Sequence, residues 1–252
     1  MGKPDHMIMS RTPRAVRNDT TALASFFRAI ATGDTPTISR VLRTSPEFAR
    51  ASIDSGASRA QAGRWFVPEA GLYIYSGDTA LHFAAGAYRP RIANQLLSLG
   101  ADVRAKNRRG AEPLHAASTG APGGERWNPK KQAETIHLLV DSGADPNCTD
   151  ALGATPLHRA VRTRCAAAAR ALLERGANPR ARNTSGSMPL HLAVQTTGRG
   201  GSGTSEARAE QATIIRLLIE HGARTSDADG SGKTVAQRSR GASLPFIAQL
   251  GT

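Results

Sequence analysis

The sequence predicts an all-α solenoid in which short helix–turn–helix units stack along one direction. Three observations support this prediction. A Thr-Pro-Leu-His tetrad or a close variant opens several segments, an apolar helix ending in Gly-Ala closes them, and the two signals recur together. The pattern is clearest in the unit Thr155–Ala177. Because one helical pair cannot bury its apolar face alone, such units must stack on their neighbours.

Within this unit, Pro156 suits the first position of a helix, where its missing N–H is not needed. Thr155 precedes it and can cap the free backbone donors. The apolar face of this helix, at 3.6-residue spacing, consists of Leu157, Ala160 and Val161. After a short turn at Arg164 and Cys165, the apolar side of the second helix consists of Ala168, Leu172 and Leu173. Gly176 ends the second helix at a position that suits a left-handed backbone.

Copies of the unit are found by the spacing of its two signals. The tetrads end in His82, His115, His158 and His191, which are 33, 43 and 33 residues apart. The helix-ending glycines are Gly100, Gly143, Gly176 and Gly222, and they follow the histidines by 18, 28, 18 and 31 residues. The base period is therefore 33 residues, with 10 extra residues in one copy and 13 in another.

A 33-residue period with a Thr-Pro-Leu-His-x-Ala motif is typical of ankyrin repeats. The chain thus resembles the ankyrin-repeat family, in a bacterial type with insertions between the two helices of alternate repeats. The resemblance covers about residues 77–231 directly. It implies helix–turn–helix units with β-hairpin connections. It also implies that His82, His115, His158 and His191 are structural and hydrogen-bond the hairpin backbone of an adjacent unit.

We predict a single ankyrin-repeat domain over residues 21–252, preceded by a disordered basic tail at residues 1–20. The terminal units are expected to be atypical because one face of each must meet water. Apolar residues suggested for the last helix are Leu244, Phe246, Ile247 and Leu250. The predicted parts are an N-terminal cap (21–43), an extended insertion (44–76), four repeats (77–109, 110–152, 153–185, 186–231) and a C-terminal cap (232–252).

The insertion at residues 44–76 contains the most aromatic stretch of the chain, with Trp65, Phe66, Tyr73 and Tyr75. In ankyrin repeats the connection between repeats forms a hairpin finger, so the insertion is expected to enlarge that finger. Two interpretations remain open. The aromatic residues fold back over the exposed N-terminal repeat, or they form a contact patch for a partner, since Trp and Tyr are frequent in binding hot spots.

The composition indicates an arginine-rich basic protein. The formal net charge is +13, and 28 of the 33 basic residues are arginines. A GC-rich genome explains such a bias, and so does an acidic partner, because net positive charge promotes association with anionic surfaces. Two cysteines, Cys148 and Cys165, are too few for a disulfide framework. Without a secretory or membrane-spanning apolar run, we expect a cytoplasmic protein that does not contact a membrane.

No residue pattern points to catalysis, a cofactor or a metal ion. The motif histidines recur at one repeat position, and the remaining histidines have no ligand spacing between them. Cys165 lies beside Arg164, which would favour a reactive thiolate. A cysteine that fills space in the turn is the preferred interpretation. We therefore predict that the protein is not an enzyme.

The leading functional hypothesis is a monomeric protein-interaction module that docks a partner on its concave face and hairpin tips, and the net charge leaves an acidic partner open. A rigid solenoid limits the entropy that is lost on docking. The predicted contact residues are all basic: Arg104, Lys106, Arg108, Arg109, Arg159, Arg162, Arg180 and Arg182.

The alternative hypothesis is binding of RNA or a phosphorylated small molecule at a basic rim formed by the loops at residues 119–131 and 196–205. Residues proposed to converge there are Arg126, Trp127, Lys130, Arg162, Arg164 and Arg199. Arginine forks suit phosphate groups, but aromatic residues make up only 4% of the chain and do not alternate with basic ones. Nucleic acid is therefore the less favoured partner. An effector that acts in a host cell, as in other bacterial members of the family, is a third open hypothesis.

Overall fold

The computed structural model of the protein describes residues 20–58, 60–195 and 205–239. Of the predicted N-terminal tail, only Thr20 falls among these residues. Most of the second inner insertion, with Arg199, lies outside them. The predicted last helix, with Leu244, Phe246, Ile247 and Leu250, also lies outside the described residues.

The described residues form short helices that alternate in pairs along the chain. In order they are α1 (Thr20–Thr32), α2 (Thr35–Thr44), α3 (Ala80–Gly86), α4 (Pro90–Ser98), α5 (Pro113–Ala117), α6 (Pro129–Asp141), α7 (Pro156–Arg162), α8 (Ala166–Glu174), α9 (Pro189–Ala193), α10 (Ser205–Glu220) and α11 (Val235–Arg238). The inserted segment adds two 3₁₀ turns, Pro46–Ala49 and Gly63–Trp65, and two strands, β1 (Phe66–Val67) and β2 (Leu72–Tyr73).

The pairs stack in chain order, which confirms the predicted all-α solenoid. The first helices pack on one another in the order α1, α3, α5, α7 and α9, and the second helices in the order α4, α6, α8 and α10. The main contacts of each described unit are therefore with its neighbours, as expected of a repeat protein.

In the four repeats that begin with the tetrad, the core consists of the same motif positions. The tetrad leucines Leu81, Leu114, Leu157 and Leu190 are at most 2% exposed, and the second helices contribute the fully buried Leu96, Leu139, Leu172 and Leu218. Each such side chain contributes about 1.5–3 kcal/mol by leaving water. Alanines between them let the short helices approach closely, so the core is continuous along the stack.

The turns between paired helices need a left-handed residue, and the chain supplies it in two ways. Gly33 has φ = 78° in the first unit, whereas Tyr88 and Arg164 have φ = 54° and 59° at the equivalent turns. A side chain in this region costs about 1–2 kcal/mol. The Tyr88 hydroxyl donates to the carbonyl of Thr119 at 2.5 Å, which offsets part of that cost and ties unit two to the loop of unit three.

The connections between repeats are short hairpin loops, and the last of them contains an isolated antiparallel bridge between Ala228 and Thr234. In the connection after α4, for example, Asn107 N donates to Ala111 O at 3.1 Å and Gly110 N donates to Asn107 O at 2.8 Å. One such pair closes a loop but is too short for a ladder. In the described part of the chain, strands occur only in the insertion, where Phe66 pairs with Tyr73 and Val67 with Leu72.

The insertion forms a long finger whose two sides are hydrogen-bonded near its base. Ile53 N donates to Asp78 O at 2.9 Å, and Ala57 N donates to Ile74 O at 2.7 Å. Val67 and Ile74 are fully buried, so the finger is fixed on the stack. Leu72 packs against α3, because a Cβ added at Gly86 would lie 3.0 Å from its Cδ1.

The aromatic residues of the insertion support both interpretations: some pack against the repeats, and one remains exposed. Trp65 is partly buried against the core. The Phe66 and Tyr73 rings pack at 4.8 Å between centroids, while Tyr73 remains 42% exposed. Phe48, earlier in the insertion, covers the first unit by packing on Phe26 at 6.0 Å. Among the described helices, none is both long and apolar enough to cross a bilayer.

We expect Gly153→Ala to destabilise the protein more than Gly176→Ala. Both glycines have positive φ, 67° and 83°, so both variants incur the left-handed strain of about 1–2 kcal/mol. Only at Gly153 would the new Cβ also meet the next connection, 2.9 Å from Thr184 N. That clash adds about 1–3 kcal/mol. Urea unfolding measures both losses, and equal losses would contradict the close approach of the two connections.

Candidate protein-binding surface

Four exposed loops, here called the tips, end the connections between repeats. They comprise residues 107–110, 150–153, 183–186 and 229–232, and each begins with Asn or Asp and ends with Gly. The first side chain closes its own loop. In the second tip, Asp150 Oδ1 accepts from Leu152 N at 2.9 Å and from Ala154 N at 3.0 Å. Asn107, Asn183 and Asp229 make the equivalent pair of bonds.

Main-chain hydrogen bonds join the first three tips. Ala151 N donates to Arg109 O at 2.9 Å, and Thr184 N donates to Leu152 O at 3.0 Å. Arg108 N of the first tip also donates to Ser76 O at the end of the insertion, at 2.7 Å. Closed loops that are also bonded laterally lose little conformational freedom when a partner docks on them. The first three tips therefore form a rigid row.

The motif histidines connect the helices to this row. Nε2 of His82, His115 and His158 lies 3.0 Å from a carbonyl oxygen of the next unit, that of Ala111, Ala154 and Ser187 respectively. In each case Nδ1 accepts from the backbone N–H three residues earlier, at 3.1–3.2 Å. This leaves Nε2 as the protonated donor. His191 Nδ1 accepts from Met188 N at 3.3 Å.

His82, His115 and His158 are poor general bases, because both ring nitrogens are occupied by backbone groups. Burial lowers the pKa of His115 to about 4, so it is neutral near pH 7. Burial also lowers the pKa of His158 and His191. Within the described ranges, no group of three or more His, Cys, Asp and Glu residues is placed to hold a metal ion.

The two cysteines are thiols of low reactivity. Burial raises the pKa of Cys165 to about 11, so the reactive thiolate considered from its neighbour Arg164 is not supported. Cys148 Sγ lies 3.8 Å from His115 Nδ1, but burial and the nearby Glu112 raise the pKa of this thiol well above its usual value. Because His115 already accepts a backbone hydrogen bond, it cannot activate Cys148.

Six of the predicted contact residues lie in or beside the tips and are exposed: Arg104, Lys106, Arg108, Arg109, Arg180 and Arg182. Several also brace the row. Arg104 Nε donates to Gly143 O at 2.9 Å, and Arg180 forms two hydrogen bonds with Asp227 at 2.8 and 2.9 Å. Lys106 Nζ lies 3.8 Å from Glu112 Oε1. These side chains are consequently fixed in position while they remain open to solvent.

Arg159 was predicted to contact a partner, but the structure assigns it an internal role. Its side chain is 15% exposed, and Nη2 lies 2.6 Å from Asp150 Oδ2. Burial opposes ionisation of Asp150, yet the hydrogen bonds from Arg159, Ala154 N and Leu152 N outweigh it and lower the carboxyl pKa. Arg162, one turn further along α7, is exposed as expected.

The same pairing recurs once more at the same spacing. Arg238 binds Asp229 nine residues before it, just as Arg159 binds Asp150. Where the tip begins with Asn, at Asn107 and Asn183, the residue nine positions later is Ala116 or Leu192. A tip that begins with Asp is thus accompanied by an arginine that neutralises it, whereas a tip that begins with Asn has no arginine at that position.

The predicted basic rim is only partly supported. Arg126 and Trp127 lie in the loop between α5 and α6, while Lys130 lies in the first turn of α6 and is exposed. Arg164 is only 7% exposed, so it presents little surface to a ligand. Arg199 lies outside the described residues, so its convergence with this loop stays a prediction.

The loop at residues 118–128 is fixed locally. Trp127 Nε1 donates to Gln132 Oε1 at 2.9 Å, and Gln132 Nε2 donates to Ala117 O at 2.9 Å. The loop lies beside the strands β1 and β2, with which it lines a cavity of about 720 Å³. Basic and acidic side chains are mixed there: Arg89, Arg126, Lys131, Glu69 and Glu125.

Two surface features were not predicted from the sequence. Leu152 lies in the second tip, where no helical apolar spacing singled it out, and it is 62% exposed. A groove of about 650 Å³ lies between α1 and the inserted finger and is lined by Arg28, Arg64, Trp65 and Arg108 among others. The aromatic residues of the insertion were the sequence signal available for this groove. The sequence did not show that the insertion lies beside α1, because that is a tertiary contact.

Comparisons with known proteins agree with this architecture. Family models described as "Ankyrin repeat" and "Ankyrin repeats (3 copies)" match residues 76–108 and 128–229. The chain is 32% identical over 180 residues to NF-kappa-B inhibitor delta of Mus musculus, which covers 70% of this chain and 44% of that protein.

Two further relatives match shorter segments. Cyclin-dependent kinase 4 inhibitor B of Mus musculus is 35% identical over 88 residues, 34% of this chain and 59% of that protein. Protein PhlB of Serratia liquefaciens is 32% identical over 123 residues, 48% of this chain and 45% of that protein. The chain therefore spans less than two thirds of each of these three relatives.

We expect Arg159→Leu to destabilise the protein by about 1–3 kcal/mol, because it leaves the largely buried Asp150 carboxylate without its partner. The double variant Asp150→Asn/Arg159→Leu should recover most of this loss, since Asn183 and Leu192 form the same combination in the next unit. Denaturant unfolding of the two single variants and the double variant tests this. Additive losses would mean that the pair is not coupled.

Acidification should destabilise the protein through His115. Its pKa is about 4 in the folded chain and 6.5 in the unfolded chain, so only the unfolded chain takes up this proton between those values. The stability that His115 contributes is complete above pH 6.5 and falls by about 3 kcal/mol as the pH approaches 4. Urea unfolding between pH 7 and pH 4 should show a shallower decline for His115→Gln. Parallel curves would contradict this role.

Proposed function

The chain belongs to the ankyrin-repeat family, and from this we propose that it is a non-enzymatic module that binds another protein on its row of tips. Two of the relatives carry names that describe inhibitors of other proteins, which supports a regulatory or scaffolding role. The observation that carries the proposal is the lateral bonding of the tips. Main-chain hydrogen bonds hold exposed side chains of adjacent repeats in one fixed row.

We further propose that the partner presents acidic groups to this row. Acidic residues in or beside the tips are paired within the protein: Asp150 with Arg159, Asp227 with Arg180 and Asp229 with Arg238. Basic side chains such as Arg109 and Arg182 remain exposed. An acidic partner would complement them, and this would favour fast association as well as affinity. The monomeric state and the cytoplasmic location stay predictions.

Leu152 is the proposed apolar anchor of the interface. It is the most exposed of the large hydrophobic residues in the described chain, and its own carbonyl is fixed by Thr184 N and Oγ1. Exposed apolar side chains on a rigid backbone are suited to binding, since docking buries them at little entropic cost. Arg109 and Arg182 in the neighbouring loops would supply the polar surroundings.

The alternative, RNA or a phosphorylated small molecule at the basic rim, has less support. Arg164 is buried, and the loop at residues 118–128 lies beside a cavity with mixed charge. Binding there would have to depend on residues 196–204, which lie outside the described residues.

Affinity purification from the source cell, with and without nuclease, tests the proposal. We expect at least one protein to be retained after nuclease treatment. Leu152→Ser should weaken its binding about ten-fold or more without changing the melting temperature, because a buried leucine contributes about 1.5–3 kcal/mol.

Leu99→Ser is the matched control, since Leu99 is 38% exposed at the end of α4 and lies away from the tips. It should bind the partner as the wild type does. Recovery of nucleic acid alone, or equal losses in the two variants, would overturn the proposed interface.

A further inference from the structure

We propose that the groove between α1 and the inserted finger binds a short acidic segment of the partner protein. This rests on the proposed function and adds to it a specific site at the N-terminal end of the tip row. One wall is formed by Ala24 and Arg28 of α1, the other by Asp54, Arg64 and Trp65 of the finger. Arg108 of the first tip closes the groove, so it is continuous with the row.

The charge of the groove favours an anionic occupant. Arg28, Arg64 and Arg108 come from three separate elements, and Asp54 is the one acidic residue among the described groups that line it. In the described part of the chain, neither Arg28 nor Arg64 has an acidic side chain within ion-pair distance. Among the described residues that line the groove, three arginines around one aspartate leave an excess of positive charge.

Aromatic rings hold two of these arginines in position. The guanidinium carbon of Arg64 lies 5.8 Å from the ring centroid of Trp65. Those of Arg108 and Arg109 lie 5.5 and 5.2 Å from the ring centroid of Tyr75, and Arg108 also donates a hydrogen bond to Ala57 O. A stacked guanidinium is preorganised, so it loses less entropy when a carboxylate binds its two parallel N–H groups.

The finger that carries Arg64 and Trp65 forms a rigid wall of the groove. Its residues Val67 and Ile74 are fully buried, and the main-chain N–H groups of Ile53 and Ala57 donate to carbonyls within residues 74–78. The extra length of this segment is not required by the repeat period, because the shorter connections of the later units join their repeats without it. The insertion thus adds a surface that the stack itself does not need.

The size of the groove favours a short peptide segment. Its volume of about 650 Å³ lies in the range of ligand-binding clefts, roughly 300–1,000 Å³. We infer an occupant with two or three carboxylates for the arginines and an apolar side chain for Ala24 and Trp65. Single-stranded RNA would require a series of aromatic platforms for stacking, but Trp65 is the one aromatic side chain among the described residues that line the groove.

The probe is a fluorescein-labelled hexaglutamate peptide, with hexaglutamine as the neutral reference, in fluorescence anisotropy at low salt. The expected result is saturable binding of hexaglutamate only. Arg28→Gln/Arg64→Gln should raise its Kd about ten-fold or more, since charge-assisted hydrogen bonds contribute about 1.5–3 kcal/mol each. Asp54→Asn should lower the Kd, because it removes the opposing charge.

Arg43→Gln/Arg91→Gln is the charge-matched control. Arg43 and Arg91 are exposed on α2 and α4, and their replacement lowers the net charge by the same two units. This control should bind hexaglutamate within about two-fold of the wild type. An equal loss of affinity in the two double variants would mean that general electrostatic attraction explains the binding, and it would contradict the proposed groove site.

The two tryptophans locate the peptide. In a Trp127→Phe background, Trp65 is the sole tryptophan, and its emission should change as unlabelled hexaglutamate saturates the protein. In a Trp65→Phe background, the emission of Trp127 should stay constant. A change confined to Trp127 would place the peptide at the other cavity and contradict the proposal, as would tighter binding of hexauridylate at this groove.

The outcome is separable from that of the proposed function. If Leu152→Ser loses the partner but Arg28→Gln/Arg64→Gln retains it, the proposed protein-binding function is supported and the proposed groove site is wrong. If hexaglutamate binds in the groove while no protein partner is recovered, the groove site is supported and the proposed interface on the tips is wrong.

Discussion

The hydrogen bond from a buried imidazole to a carbonyl of the next unit is the contact on which the rest of the surface depends. His82, His115 and His158 reach carbonyls that are 29, 39 and 29 residues further along the chain, and all three distances are 3.0 Å. The 10 additional residues of unit three therefore leave this contact unchanged. Since each imidazole also accepts from the first turn of its own helix, it fixes the helix and the next tip relative to each other.

Local stacking explains why this chain accommodates insertions of such different character. A repeat contacts only its neighbours, so extra residues are tolerated wherever they leave the apolar seam and the imidazole contact intact. The insertion in unit three emerges between α5 and α6 and is held by Trp127 and Gln132. The insertion at residues 44–76 enters the core through Val67 and Ile74, and it therefore adds rigid surface and not only length.

The sequence was sufficient to predict the features that all repeats share and insufficient to predict those of single units. The period, the all-α stack and the structural role of the motif histidines follow from local spacing and motif chemistry, which the same physics imposes on every repeat. The role of Arg159 was missed because a lone arginine on a helix resembles a surface residue, although the nine-residue spacing from Asp150 is visible once its recurrence at Asp229 and Arg238 is known. The groove was missed because Arg28 and Arg64 lie 36 residues apart and only the fold of the finger brings them together.

The net charge of +13 includes exposed arginines of two kinds. Those on the second helices, such as Arg43, Arg91 and Arg170, lie over no aromatic ring of the described residues. Arg64 and Arg108 differ from them because aromatic rings orient their guanidinium groups on the two sides of one cavity. Random enrichment in arginine raises the number of such side chains but does not supply Trp65 and Tyr75 beneath them. Position and orientation, more than total charge, therefore indicate where an acidic segment would bind.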